Sequence, residues 1–125
     1  MKINSANELK VYKTAYKLAM DIFNVSKTWP TEEKYSLTDQ IRRSSRSVCV
    51  NLQETWAKRR YKAHFISKLT DVDGENNETA TWLNFAKDCE YLSSKDYIDL
   101  SNKCNELGKM IGSMLMKPEP FLLQI

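Results

Sequence analysis

The sequence predicts an all-α protein, an antiparallel up-down-up-down four-helix bundle. Three observations lead there. Apolar residues recur at helical spacing in four successive segments, no segment alternates with period two between hairpin turns, and turn-forming residues are few. Only three Gly and three Pro punctuate 125 residues, and no Gly/Ser-rich or Pro-rich stretch divides them. The chain therefore reads as one domain, 1–125, around one core. Trp29-Pro30, the Leu92-Ser93-Ser94 segment, and Pro118 with Pro120 mark the breaks.

The first helix is expected over about 8–29. Val11, Tyr12, Ala15, Tyr16, Leu18, Ala19, Ile22, Phe23, Val25 and Trp29 spread over an arc of roughly 180°, wider than the ~100° that one core requires. That width predicts a second packing partner, which a copy of the same chain would supply. The second helix, 33–60, sorts into three faces. Leu37, Ile41, Ser45, Val48, Leu52 and Trp56 form an apolar face, with Cys49 at its edge. Arg42, Arg46, Gln53 and Arg60 form a basic one. Arg43, Ser47, Asn51, Glu54 and Lys58 form a polar row.

The third helix, 62–91, carries a seam of Phe65, Leu69, Val72, Asn76, Thr79 or Ala80, Leu83 and Ala86. Asp71, Glu75, Glu78, Trp82, Phe85 and Cys89 run along its back, and Gly74 weakens its middle by ~1 kcal/mol relative to Ala. The fourth helix, 94–117, has Ser93 or Ser94 as N-cap and Tyr97, Leu100, Cys104, Leu107, Ile111 and Leu115 at heptad-like spacing. The apolar tail 118–125 either docks on a neighbouring surface or is disordered.

Composition excludes several functions. The N-terminus lacks a signal-peptide core, and no apolar run approaches the ~18 residues of a membrane span, so a cytoplasmic protein without membrane contact is expected. Cys49, Cys89 and Cys104 lack CxxC spacing and fit apolar rows as reduced, buried thiols. His64 is the only histidine, which excludes sites needing two. In DVDGENNE the Gly comes fourth rather than sixth for a calcium loop, so neither a metal nor another cofactor is expected. Ser44, Ser45 and Ser47 have no His on a neighbouring turn, so the chain does not read as an enzyme.

Charge is the best functional signal. The net charge is only +3, but residues 40–70 carry eight Lys or Arg against Glu54 alone. Residues 71–90 carry six acids against Lys87. Arg42, Arg46, Arg59 and Arg60, with Lys58 and Lys62 beside them, would grip the phosphates of RNA or DNA, with Tyr61 and Trp56 near enough to stack on bases. The alternative is a solvated basic face with Trp56 in the core. The row Arg43, Ser47, Asn51 and Glu54 is either ordinary surface with i,i+4 pairs or a buried polar seam that sets register.

These residues also carry a resemblance. The chain resembles the four-helix bundle proteins encoded in intervening sequences of bacterial 23S ribosomal RNA genes, over about residues 8–117. The likeness rests on LKVYKTAYKLAMDIF, on LTDQIRRSSRSVCVNLQE with Gln40, Arg43, Ser47, Asn51 and Glu54, and on Gly74 with Glu78 before LNFAKDCEYLS. Thr55 stands where the family usually has Gly, and Asp73 and Glu75 flank Gly74 where small residues are usual. The resemblance implies an antiparallel bundle assembled into ring-shaped homo-oligomers, pentamers in particular. It extends to the accessory proteins of diversity-generating retroelements, basic barrels that act with a reverse transcriptase and nucleic acid. The family name reflects where some of the genes lie and assigns no activity.

Two functions follow as expectations. One is a non-enzymatic oligomer that binds RNA or DNA through the basic arc, with Arg43, Asn51, Glu54 and Glu78 holding the bundle or its neighbour in register. The other is a scaffold that recruits an unidentified protein partner through the apolar tail or uncovered parts of the first helix, and never touches nucleic acid.

Overall fold

A computed structural model describes residues 3–123. It consists of four α-helices, α1 (Lys10–Val25), α2 (Asp39–Ala57), α3 (Lys62–Asp88) and α4 (Ser94–Met116), and no strand occurs among the described residues. Each helix packs on its neighbour in sequence, and α1 also packs on α4. One core results. Its largest fully buried side chains include Phe65, Leu18, Ile22, Ile41, Leu52, Leu69, Leu83, Leu107 and Ile111, which come from all four helices.

The helix ends differ from the sequence expectation, each for a local reason. Leu9 is extended, so the turn Ala6–Glu8 stands apart from α1. Ser26–Thr28 tightens into a 3-10 turn before Trp29, which is extended as a residue before proline should be. Thr31–Glu33 and a π turn at Lys34–Thr38 precede α2, and the π turn already buries Leu37 and Thr38. Glu33 accepts a hydrogen bond from the Tyr91 hydroxyl at 2.9 Å, fastening this approach to the α3–α4 connection.

The second helix stops at Ala57 rather than Arg60. Lys58 is its C-cap, with its N–H shared between the Glu54 and Thr55 carbonyls. The third runs unbroken through Gly74, where a Cβ would meet nothing within 4 Å. It ends in a Schellman closure, with Tyr91 N–H on the Ala86 carbonyl and Glu90 N–H on that of Lys87, and Glu90 at φ 64°. Of the two candidate caps Ser93 and Ser94, Ser93 caps α4 by accepting from the Asp96 N–H at 3.0 Å.

One expectation is corrected here, and one pair of alternatives is narrowed. Cys89 is exposed at the end of α3, because it lies one turn beyond Phe85 on the back of the helix, where Phe85 is exposed as well. Of the two alternatives for the tail, docking is the one seen as far as Leu123. The tail forms a turn at Glu119–Phe121, Phe121 stacks on Phe65 at 6.4 Å, and the Leu123 N–H donates to the Arg59 carbonyl. Gln124 and Ile125 lie outside the described residues.

Candidate nucleic-acid interface

The arc of Arg42, Arg46, Arg59 and Arg60, with Lys58 and Lys62 beside it, divides into two groups, because α2 ends at Ala57. Arg42 and Arg46 lie on the body of α2, and Lys58, Arg59, Arg60 and Lys62 lie at the corner between α2 and α3. At ~1.5 Å per residue the groups are roughly 18 Å apart along the axis.

Arg42 is tied inward. Its Nε donates to Ser26 Oγ at 2.9 Å, a terminal nitrogen reaches the Phe23 carbonyl at 3.5 Å, and the guanidinium lies 4.9 Å from the Phe23 ring centre. It therefore clamps α2 to the end of α1. The exposed Arg46 and Lys27 approach the same ring at 5.6 and 4.9 Å, so Phe23 carries three cations.

At the corner two cations are held and two are not. The Arg59 guanidinium lies 3.5 Å from the Trp56 ring centre and its Nε donates to the Trp56 carbonyl at 2.6 Å, while burial pushes its pKa down. Lys62 pairs with Glu119 at 2.9 Å. Lys58 and Arg60 are exposed, and no carboxylate among the described residues pairs with either. Tyr61 is 58% exposed and meets His64 edge-on at 5.3 Å. The corner thus presents two cations and an accessible aromatic face on a backbone braced from below by Phe65, Phe121 and Leu123.

The polar row lies along the α2–α3 boundary. Arg43 faces Asp39 at 3.7 Å on the surface, Asn51 Nδ2 donates to Ser47 Oγ at 3.0 Å, and Glu54 pairs with Lys68 at 2.6 Å. On α3, Glu78 accepts from the Trp82 indole at 3.3 Å. Arg43, Arg46, Ser47, Val50, Glu75 and Glu78 line a groove of about 550 Å³. Burial first, and then the charge of Glu78, raise the Glu75 pKa above the usual range.

The fully buried polar contacts lie elsewhere. Ser44 and Thr79 hydroxyls meet at 2.8 Å between α2 and α3, and Asn76 Nδ2 donates to the Cys104 carbonyl at 3.1 Å between α3 and α4. Sequence reasoning gave neither pair a role. The available signal was Asn76 and Thr79 standing in an otherwise apolar seam, where a polar side chain requires a partner.

Two further features limit the chemistry. Burial pushes the Cys49 and Cys104 thiols up to about 11, and among the described residues no cluster of side chains could hold a metal ion. No described helix is long and apolar enough to cross a membrane. Part of the wide α1 stripe remains open, with Tyr16 54% and Met20 41% exposed beside Val50 of α2 at 58%. These three residues border one groove with Tyr12, Cys49 and Gln53.

Comparison with known proteins bears on this arrangement. The sequence model of a family described as 23S rRNA-intervening sequence protein matches residues 7–113. A crystal structure of a protein of unknown function from the S23 ribosomal protein family of Bacteroides thetaiotaomicron is similar at 30% identity. The match covers 86% of this chain and 96% of that one, with a TM-score of 0.78. No curated protein matches the chain.

Proposed function

Because the chain belongs to the 23S rRNA-intervening sequence protein family, we propose that it is a non-enzymatic, self-associating bundle that holds RNA or DNA at the corner between α2 and α3. The carrying observation is the corner itself, where Lys58, Arg60 and the open face of Tyr61 stand together on a braced backbone. Cations neutralise phosphates with release of counterions, and an aromatic face accepts a base without sequence preference. Arg46 is a secondary contact on the body of α2, whereas Arg42 and Arg59 serve the fold.

Cross-helix pairs support the up-down-up-down order. Ser44 meets Thr79 and Glu54 meets Lys68, so residue numbers climb on α2 as they fall on α3. Asn76 with Cys104 and Asn84 with Tyr97 repeat the pattern between α3 and α4. Tyr16, Met20 and Val50 support self-association, since an apolar strip of this kind favours a covering surface. A strip that seats a different surface of the next copy makes a head-to-tail contact, which closes into a ring such as the pentamer. Repetition around a ring would multiply a modest basic corner.

The test is fluorescence anisotropy with a short single-stranded RNA and the matching DNA at low and near-physiological salt. Lys58→Glu with Arg60→Glu should weaken binding and flatten the salt slope by ~0.7 for each single-strand phosphate no longer neutralised. Unchanged binding at low salt would overturn the proposal. The second reading, a scaffold for a protein partner, draws on the same Tyr16–Met20–Val50 strip. Light scattering separates the roles: Tyr16→Glu with Val50→Glu should dissociate the assembly if the strip joins copies, and should leave its mass unchanged if the strip serves another protein.

A further inference from the structure

A groove of about 430 Å³ opens where the start of α1, the end of α4 and the C-terminal turn meet. Its size falls in the ~300–1,000 Å³ range of small-molecule sites, which are mostly apolar with a few placed polar groups. Leu9, Val11, Met110, Met114 and Phe121 supply apolar walls, and the ammonium-bearing Lys10 and Lys117 belong to the same lining. Leu9, Val11 and Met114 are nearly buried, so the core sets the floor, while both lysines are exposed at the rim.

The rim is electropositive for two reasons. Glu119, whose carboxyl feels the Lys117 charge, is engaged by Lys62 at 2.9 Å. No carboxylate among the described residues pairs with Lys10 or Lys117. The N-cap of α1 is Leu9, which offers no side-chain acceptor to the first turn, so the positive pole of that helix adds to the two ammonium groups.

We infer that this groove binds an amphipathic monocarboxylate of medium-chain alkanoate type, with the alkyl chain along Leu9, Val11, Met110 and Met114 and the carboxylate at Lys10 and Lys117. Charge complementarity selects the class. A neutral alkyl ligand would gain only burial, and a cationic one would meet two ammonium groups. Methionines suit a flexible chain because their thioethers adapt to its shape. The groove shares no lining residue with the Tyr16–Met20–Val50 strip, so it does not compete with the self-association surface.

The experiment is titration calorimetry of the full chain with decanoate and decyltrimethylammonium below their micelle concentrations and decanol below its solubility limit, with methyl NMR on the methionines. Decanoate should bind one per chain and shift the Met110 and Met114 methyls, decanol should bind at least about tenfold more weakly, and the cation should not bind. Lys10→Gln with Lys117→Gln should remove the preference for decanoate over decanol and leave decanol binding in place. Ser113→Trp, a change at an exposed lining position, should abolish both. Equal binding of all three probes, shifts spread over other methionines, decanoate binding retained in the folded Ser113→Trp variant, or no decanoate binding would each overturn the inference.

Discussion

The two ends of α3 are held in different ways. At its start, the backbone of the α2–α3 corner is braced by a distant segment, with Leu123 on the Arg59 carbonyl and Phe121 on Phe65. Lys58, Arg60 and Tyr61 are left facing outward. At its end, the chain closes on itself. Tyr91 and Glu90 return to the Ala86 and Lys87 carbonyls, Ser93 caps α4, and the Tyr91 hydroxyl engages Glu33, an arrangement that pushes the Tyr91 pKa up to about 12. Both corners draw on a distant segment, Phe121 and Leu123 at the first and Glu33 at the second, but among the described residues only the first leaves two unpaired cations beside an exposed aromatic ring.

The contrast is most exposed to damage at Phe65, which is fully buried under the basic corner. Phe65→Ala should cost about 3–4 kcal/mol in chemical denaturation and release the tail with it. At the other end, Ser93→Ala removes the only acceptor the α4 cap supplies and should cost about 1 kcal/mol, read as a lower melting temperature. Glu90 holds a left-handed conformation that favours glycine, so Glu90→Gly should stabilise by up to about 1 kcal/mol in the same measurement. Lys58→Glu with Arg60→Glu should change stability by no more than ~0.5 kcal/mol, because neither side chain has a partner to lose among the described residues.

The smallest effect concerns acid. Lys62 holds the Glu119 carboxyl below its ordinary 4.5. A depressed carboxylate contributes stability above its unfolded value and loses it as pH falls through the folded one. The protection of the Leu123 amide, its exchange relative to the intrinsic rate at each pH, should therefore fall only in acid below that ordinary value, and Glu119→Gln should remove this pH dependence of the protection. A pH-independent protection factor would show that the ion pair does not hold the tail.

Much of the fold was legible because amphipathic spacing reports burial directly. The seam residues Phe65, Leu69, Val72, Asn76, Thr79, Leu83 and Ala86 are all buried in α3, and Ser93 caps α4. The end of α2 was not legible, since no Gly or Pro stands between Ala57 and Lys62 to mark it. That one boundary changed the site, because it moved Arg60 off the helical arc. The role of Arg42 was hidden for a different reason: a wheel shows which residues share a face of one helix and says nothing of Phe23 and Ser26 on another.

Four apolar stripes, their lengths within a turn or two, and a basic segment followed by an acidic one are properties of the sequence alone. These are local periodicities and charges, and they survive any arrangement of the helices. Packing then settles which cations are engaged by aromatic rings, carbonyls and Glu119, and which remain for a ligand. Those choices depend on contacts between residues up to 82 apart, as in Asp21 with Lys103, and such contacts exist only once the helices have come together.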